Sequence, residues 1–276
     1  MSCPVSCEQT LVKLAQPALK HPFHFFIEIF FPIIIGAGLG YICAQEFEKQ
    51  GAQLVMVARS SSKLEQLKST FSNPANHLVF SADLLNHDSI QSLVKKGLEH
   101  SGGFDIVLHA LGGGYGFRDP LITWEQLDTL FKVNVSVAAE INRLIVPGMV
   151  EKKYGRLVHV GSIASQEATA SVGYNTVKSA LAAYVRSLGR ELAESKVVAS
   201  GILPGAFYAP ENSWERLKAT KPEVVKEFIE KNLPRKRIAD VDEVLPLIFF
   251  LASEAASMMS GCCVPIDAGE GKNYVM

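Results

Sequence analysis

The chain is 276 residues long, 48% of its residues are hydrophobic, and its formal net charge at pH 7 is −1. This length fits one large α/β domain or two small ones, and the apolar content suffices for a sizeable core. The balanced charge argues against a nucleic-acid-binding protein, which typically presents a basic face. The five cysteines include no Cys-x-x-Cys pair, so we expect neither a disulfide framework nor a metal site, and a cytoplasmic location.

Residues 1–30 show no clear periodicity and are predicted to be an N-terminal extension to a domain of residues 31–276. The apolar run from Phe23 to Ile35 is the one stretch that suggests a membrane segment. It is interrupted by Glu28 and Pro32, and it is shorter than the ~20 apolar residues that a spanning helix needs. We therefore expect no membrane association.

From residue 31 onward, apolar β-branched runs alternate with helical patterns. The predicted strands are Ile33–Ile35, Leu54–Ala58, Leu78–Phe80, Ile106–Ala110, Leu157–Val160, Val197–Leu203 and Val264–Ile266. The predicted helices are Tyr41–Gln50, Lys63–Thr70, Ser89–Glu99, Glu125–Val146, Tyr174–Glu194 and Val241–Ala252. Fully apolar strands separated by helices are typical of a doubly wound parallel sheet with helices on both faces, here in a single α/β domain.

The segment Gly205–Asp240 is the longest part of the domain without a predicted strand. It contains a predicted helix at Glu223–Asn232. Because it follows the sixth strand at the carboxyl edge of the sheet, it is placed to cover a ligand. We therefore predict a substrate lid around residues 205–240, although a packed pair of surface helices would give the same pattern.

The first predicted strand runs into Gly36-Ala37-Gly38-Leu39-Gly40, and a helix follows. Glycines at such a turn let the backbone bend tightly and let a pyrophosphate approach the amides of the helix N-terminus. The strand before it and the helix after it strengthen an otherwise weak glycine signal. We predict a dinucleotide-binding turn here.

The end of the second strand indicates which dinucleotide is preferred. An acidic residue at this position typically binds the ribose hydroxyls of NAD, but the sequence here is Ala58-Arg59-Ser60-Ser61-Ser62. A guanidinium followed by hydroxyls suits a 2′-phosphate. NADP(H) is therefore favoured over NAD(H), the alternative being that Arg59 is a solvated surface residue.

Tyr174 and Lys178 are four residues apart and share one face of a predicted helix. A phenol is a poor base at neutral pH, but a neighbouring ammonium favours the phenolate. Such a tyrosine can give a proton to a carbonyl oxygen or take one from an alcohol. Ser162, at the end of the fifth strand, is placed to hydrogen-bond the same oxygen. The alternative for Tyr174 is an ordinary amphipathic helix residue.

Across about residues 33–271 the motifs occur in the order seen in short-chain dehydrogenases/reductases, and the chain resembles the 3-oxoacyl-carrier-protein reductases among them. The motifs are the glycine turn, Asp83-Leu84, Asn134 in Lys132-Val133-Asn134-Val135, Val160-Gly161-Ser162, the Tyr174–Lys178 pair, Pro204-Gly205, and Pro265-Ile266-Asp267-Ala268-Gly269. The resemblance implies a Rossmann-like fold, a catalytic group of Ser162, Tyr174, Lys178 and Asn134, and no catalytic metal.

The resemblance also implies how the cofactor is held. Asp83 and Leu84 would meet the adenine, Ala110 and Gly112 would follow the fourth strand beside the cofactor, and Pro204-Gly205 would border the nicotinamide. Tyr174 and Lys178 would contact the cofactor as well. Members of the family are commonly homo-oligomers, tetramers or dimers, whose pairing helices correspond to Glu125–Val146 and Tyr174–Glu194.

Two of the chain's departures from the family pattern bear directly on the site. Ile34 stands where the usual turn has its first glycine, so either that glycine is lost or the turn is two residues shorter. The shorter turn predicts weaker NADPH binding and a helix that begins near Tyr41. An altered reading frame upstream of Gly36 is a second interpretation of the departure at the turn and of the Phe- and Ile-rich run at residues 23–35. His109 replaces an asparagine after the fourth strand, either as a structural residue or as a contact to ribose or substrate.

Two functions remain open on the sequence alone. The first is an oxidoreductase for a small carbonyl or alcohol, such as a 3-oxoacyl thioester, a sugar or a nucleotide-sugar. The second is a catalytically silent nucleotide-binding protein with a role in assembly or regulation. The complete Ser–Tyr–Lys–Asn set favours the enzyme.

Overall fold

The computed structural model describes residues 32–35 and 38–274. In chain order the elements are β1 (Pro32–Ile35), α1 (Leu39–Lys49), β2 (Val55–Ala58), α2 (Ser61–Ser69), β3 (Leu78–Ser81), α3 (His87–Ser101), β4 (Ile106–His109), α4 (Trp124–Phe131), α5 (Val137–Glu151), β5 (Gly155–Val160), α6 (Val172–Leu192), β6 (Val197–Pro204), β7 (Phe207–Tyr208), α7 (Ser213–Thr220), α8 (Pro222–Asn232), β8 (Ala239–Asp240), α9 (Leu245–Ala252) and β9 (Cys263–Ile266).

Seven strands form one parallel sheet in the order β3-β2-β1-β4-β5-β6-β9, which confirms the predicted fold class. The strand order reverses beside β1, where Ile34 pairs with Met56 on one side and Leu108 on the other. In open α/β sheets ligands bind at such a reversal, outside the carboxyl ends of the strands. Pro32 opens β1, as predicted for a residue without a backbone donor.

Helices cover both faces of the sheet because successive side chains of each strand point to opposite sides. In β2, Met56 belongs to one core cluster, which includes residues of α1 and α9, while Val57 belongs to the other, which includes residues of α3 and α5. On the first face, the rings of Phe47 and Phe249 pack with their centroids 4.6 Å apart. The sheet is therefore packed against helices on both faces.

Helix α4 and helix α5 are joined by a π-helical turn at Lys132–Ser136, where the sequence had predicted one uninterrupted helix. The turn carries Asn134, and π-helical insertions often occur at functional sites. Helix α1 begins at Leu39 rather than Tyr41. Helix α9 begins at Leu245 after a short 3₁₀ turn, and Pro246 in its first turn needs no backbone partner.

The segment Gly205–Asp240, called the lid segment below, has its own small core of Ala206, Val225, Leu233 and Ile238. The predicted helix at Glu223–Asn232 corresponds to α8. The sequence analysis missed α7 and the two-stranded parallel sheet of β7 and β8. We had expected a segment without strands, and that expectation was wrong.

Three predictions concern residues outside the described part of the chain: the extension of residues 1–30, Gly36 in the glycine turn, and the altered reading frame. Within the described residues, no helix is long and apolar enough to cross a membrane. The same part of the chain contains no cluster of three or more His, Cys, Asp or Glu side chains suited to a metal ion.

Candidate active site

The carboxyl ends of the parallel strands bring the predicted site residues to one edge of the sheet. Gly38, Leu39 and Gly40 begin α1, Arg59 and Ser60 follow β2, Asp83 and Leu84 follow β3, Ala110 and Gly112 follow β4, Ser162 follows β5, and Pro204 and Gly205 end β6. Helix α6 supplies Tyr174 and Lys178 to the same edge. A single groove can therefore be built from segments that are far apart in the sequence.

Tyr174 lies in the first turn of α6, and its side chain is half-buried. Burial raises the pKa of Tyr174 to about 12, and a hydrogen bond with the Ser162 hydroxyl acts in the opposite direction. The phenol therefore keeps its proton at neutral pH, which is the form that protonates a carbonyl oxygen.

Lys178 is only 3% exposed, and burial lowers its pKa to about 8. Its ammonium lies 5.6 Å from the centre of the Tyr174 ring and donates to the carbonyl oxygen of Val160 at 2.9 Å. An ammonium has three protons, and the Val160 carbonyl is its one acceptor among the described residues. The remaining donors suit the hydroxyls of a bound ribose.

Asn134 connects the π-helical turn to the loop after β4. Its amide nitrogen donates to the carbonyl oxygens of Gly113 and Leu130, each at 3.0 Å, and its oxygen accepts from the Gly113 amide at 3.1 Å. The side chain is 2% exposed, so these bonds replace lost hydration. Asn134 thereby fixes the loop that passes beside Tyr174.

Gly112, in the same loop, leaves no room for a side chain beside two of the predicted catalytic residues. A Cβ atom at Gly112 would lie 2.8 Å from the Asn134 side-chain oxygen and 3.1 Å from the Lys178 ammonium nitrogen. A Cβ at Gly114 would lie 3.5 Å from the Tyr174 ring. The glycines therefore create a cradle in which backbone, and not side chains, faces the groove, and this fits a dinucleotide bound along it.

The nucleotide end of the groove lies at the start of α2. Arg59 is exposed, and Ser60 caps the helix by accepting a hydrogen bond from the Lys63 amide at 3.4 Å. Asp83 is exposed and accepts from the Leu85 amide at 3.1 Å, whereas the Leu84 side chain is 6% exposed and belongs to the core. Contact of residues 83–84 with an adenine would thus fall to Asp83 and to the backbone.

His109 lies in a buried polar network instead of facing the groove. Its Nε2 hydrogen-bonds the Asn142 side-chain oxygen at 2.8 Å, and its ring stacks on His159 with centroids 4.6 Å apart. Asn142 in turn donates to His159 at 3.2 Å and to the Tyr184 hydroxyl at 3.0 Å. These contacts favour the structural interpretation of His109.

The C-terminal segment also contacts the residues around the site, and no sequence motif predicted these contacts. Glu270 accepts a hydrogen bond from the Ala206 amide at 2.6 Å, directly after Pro204-Gly205. Glu167, in the loop before α6, accepts from the amides of Lys272 at 2.5 Å and Asn273 at 2.7 Å. Burial raises the pKa of Glu270, and the Asp267 and Glu167 carboxylates add to this.

A doubly wound parallel sheet with a tyrosine–lysine pair beside its switch point defines an oxidoreductase that binds a nicotinamide dinucleotide and acts on carbonyl or alcohol groups. A family model described as enoyl-(acyl carrier protein) reductase matches residues 35–270. The chain therefore belongs to the short-chain dehydrogenase/reductase family.

Individual relatives are distant. An uncharacterised oxidoreductase of Staphylococcus epidermidis is 28% identical over 64% of this chain and 78% of its own length. The 3-oxoacyl-[acyl-carrier-protein] reductase of Pseudomonas aeruginosa is 25% identical over 86% of this chain and 95% of its own length. The structure of L-sorbose reductase from Gluconobacter frateurii, complexed with NADPH and L-sorbose, superposes with a TM-score of 0.82 at 24% identity, over 91% of this chain and 100% of that one.

Proposed function

We propose that this protein is an NADP(H)-dependent reductase that converts a small carbonyl compound to its alcohol, with Tyr174 as the proton donor. The observation that carries the proposal is the position of Tyr174: its phenol hydrogen-bonds Ser162 and its ring lies 5.6 Å from the buried Lys178 ammonium. A tyrosine held in its protonated form, beside a groove lined by backbone, is suited to giving a proton to an oxygen that gains charge.

In this proposal each residue of the group has a separate task. Ser162 donates a hydrogen bond to the substrate oxygen and orients it, and Tyr174 transfers its phenolic proton to that oxygen. Lys178 binds the ribose hydroxyls with the donors that Val160 leaves free, and Asn134 holds the loop against it. Bound NADPH would supply the hydride that the carbonyl carbon accepts.

The preference for NADP(H) rests on residues 58–62, which contain a guanidinium and three hydroxyls but no carboxylate. Arg59 is exposed at the mouth of the groove, and its planar donors match phosphate oxygens. Gly38, Leu39 and Gly40 would place the amides of α1 against the pyrophosphate, and Ala110, Gly112, Pro204 and Gly205 would line the path to the nicotinamide.

The lid segment would cover the substrate, since it leaves the sheet at Gly205 beside this path. Its two helices and the loop after β4 offer both aromatic and polar side chains, so the substrate class stays open between acyl thioesters, sugars and other small carbonyls. We also propose a homo-oligomer, dimer or tetramer, paired through α4–α5 and α6. Trp124, at the start of α4, is 84% exposed and is a suitable apolar contact for that interface.

The test is NADPH oxidation measured with a panel of 3-oxoacyl thioesters, ketoses and diketones. Tyr174→Phe should lower turnover at least ~10²-fold, the usual cost of losing a positioned acid, while NADPH binding stays near wild type. Tyr184→Phe is the matched control, because it removes a tyrosine hydroxyl from the same helix. That hydroxyl accepts a hydrogen bond from Asn142 and not from a predicted catalytic residue. Wild-type turnover in Tyr174→Phe, or NADPH binding without turnover of any substrate, would favour the catalytically silent alternative.

A further inference from the structure

An ion pair joins the nucleotide end of the groove to the lid segment. The Lys63 ammonium contacts the Glu211 carboxylate, across 148 residues of sequence. Lys63 lies in the first turn of α2, three residues after Ser60, and Glu211 lies in the loop between β7 and α7. The pair therefore connects the segment expected to read the 2′-phosphate with the segment expected to cover the substrate.

The loop that carries Glu211 also reaches the start of α1. The carbonyl oxygen of Pro210 lies 3.0 Å from the position of a Cβ atom on Gly38, whose φ is +65°. Residues 209–212 thus pass from the N-terminus of α1 to the N-terminus of α2. In this fold the first of these helix ends receives the pyrophosphate and the end of the second strand receives the adenosine ribose.

The loop is shaped to hold Glu211 in this position. Asn212 donates its side-chain nitrogen to the Phe207 carbonyl oxygen at 2.7 Å, and Arg216 donates to the Glu211 carbonyl oxygen at 2.7 Å. Glu211 itself has a φ of 59°, a left-handed backbone conformation that non-glycine residues adopt only where other contacts stabilise it. These contacts stabilise the backbone conformation from which the Glu211 carboxylate reaches Lys63.

The ion pair is weak enough to be exchanged. The side chains of Lys63 and Glu211 are 56% and 62% exposed, and ion pairs this exposed contribute little to stability because water screens them. A phosphate carries more charge than a carboxylate and has three strong acceptor oxygens. Helical side chains also lean towards the N-terminus, which directs the Lys63 ammonium towards Arg59 and Ser60.

We propose that Lys63 is a second residue that reads the 2′-phosphate, and that this phosphate takes Lys63 from Glu211 and so releases residues 209–212 of the lid segment. The inference rests on the proposed preference for NADP(H). It couples the choice between the two dinucleotides to the mobility of the lid segment, because NADH has no 2′-phosphate to replace the Glu211 carboxylate as the partner of Lys63.

The test compares Lys63→Met and Glu211→Gln with wild type, by fluorescence titration with NADPH and with NADH. Lys63→Met should weaken NADPH binding about 5- to 20-fold, the scale of one charge-assisted bond, and leave NADH binding within about two-fold. Glu211→Gln should strengthen NADPH binding a few-fold and leave NADH unchanged. Glu227→Gln is the control, since it removes a carboxylate from an exposed pair with Lys231 on α8.

Amide hydrogen exchange supplies a readout independent of affinity. NADPH should increase exchange at the amides of Ala209, Glu211 and Asn212 relative to NADH in wild type, and Glu211→Gln should abolish that difference. Equal losses for both dinucleotides in Lys63→Met, or no change in Glu211→Gln, would overturn the coupling. If wild type instead binds NADH as tightly as NADPH and Arg59→Ala affects neither, the proposed cofactor preference itself has failed.

Discussion

Single residues decide the chemistry of this site through the hydrogen bonds that they leave unused. Lys178 is buried with one protein acceptor, whereas Asn134 uses both ends of its amide on backbone groups. The first has capacity left for a ligand, and the second serves to fix the loop beside it. This difference separates a binding residue from a positioning residue, although the two side chains are neighbours across Gly112.

The first prediction at this scale concerns the cofactor preference. Arg59→Ala should weaken NADPH binding about 10- to 100-fold, the value of one or two charge-assisted hydrogen bonds. NADH binding should change little, because the lost partner is the 2′-phosphate. Fluorescence titration with both dinucleotides measures the effect, and Arg190→Ala, exposed in the last turn of α6, is the control. Parallel losses for both would remove Arg59 from the phosphate site.

The second prediction tests the close approach at Gly112. In Gly112→Ala the new methyl group would crowd the Asn134 oxygen and the Lys178 nitrogen, so one of them must move. A displacement of this size in a catalytic group costs about 10- to 100-fold in kcat/KM, with the melting temperature little changed. Gly148→Ala is the matched control, since nothing lies within 4 Å of a Cβ there. Normal kcat/KM in Gly112→Ala would show that the groove tolerates the methyl group.

Local motifs made the catalytic residues predictable, because their spacing reflects one helix and two strand ends. Tyr174 and Lys178 share a helical face, and Ser162 follows an apolar strand, so the sequence contains the geometry. Glu270 and Glu211 had no such signal. Their partners, Ala206 and Lys63, are 64 and 148 residues away, and only the assembled fold brings them together.

At the scale of elements, the sequence identified the seven strands of the main sheet because buried parallel strands are apolar throughout. It missed β7 and β8, which have two residues each, and α7, whose eight residues have no buried member. The π-helical turn between α4 and α5 was also missed, since one extra residue per turn hardly changes the apolar pattern. These are the elements that shape the site beyond the common sheet.

The third prediction concerns the C-terminal segment, which Glu167 fixes to the loop before α6. Glu167→Ala removes the acceptor of the Lys272 and Asn273 amides, so residues 271–274 should become sensitive to limited proteolysis. In the proposed function this loop would border the substrate and not the nucleotide, so we expect KM for the carbonyl substrate to rise several-fold while NADPH affinity is unchanged. Glu151→Ala, exposed at the end of α5, should leave both unchanged, and a resistant C-terminus in Glu167→Ala would contradict the assignment.

At the scale of the whole molecule, stability depends on a polar network inside the core. Burial lowers the pKa of His159 to about 4 and the pKa of His109 well below its usual range. Both rings are therefore neutral in the folded protein, and the hydrogen bonds to Asn142 and to the Ser200 carbonyl oxygen satisfy them in that form. The two rings lie between the sheet and α5–α6, so their protonation affects the fold and not one loop.

The fourth prediction follows from this network. Below pH 6.5, the ordinary pKa of histidine, the unfolded chain binds protons while the two buried rings of the folded chain stay neutral. The free energy of unfolding therefore decreases as the pH falls, until about pH 4, where His159 is protonated in the folded chain as well. His159 alone should lower the free energy of unfolding by about 2 kcal/mol between pH 7 and pH 5, with His109 adding in the same direction.

Urea unfolding at the two pH values measures this loss. His159→Gln should be less stable at pH 7 but should show a flatter pH dependence, while His100→Gln, exposed on α3, should follow wild type. A wild-type stability that is equal at pH 5 and pH 7 would show that the histidines take up protons equally in the folded and unfolded chain, which would contradict the lowered pKa values.

The separate core of the lid segment has a consequence for how such enzymes diversify. Ala206, Val225, Leu233 and Ile238 form a cluster with partly buried neighbours on β7, α7 and α8. Substitutions on the exposed side of these two helices therefore need not disturb α6, which carries Tyr174 and Lys178. In the proposed function, substitutions in the lid segment could therefore change the substrate while Tyr174 and Lys178 keep their positions. Exchanging residues 209–236 between family members is, for the same reason, a direct route to chimeric reductases with new substrate ranges.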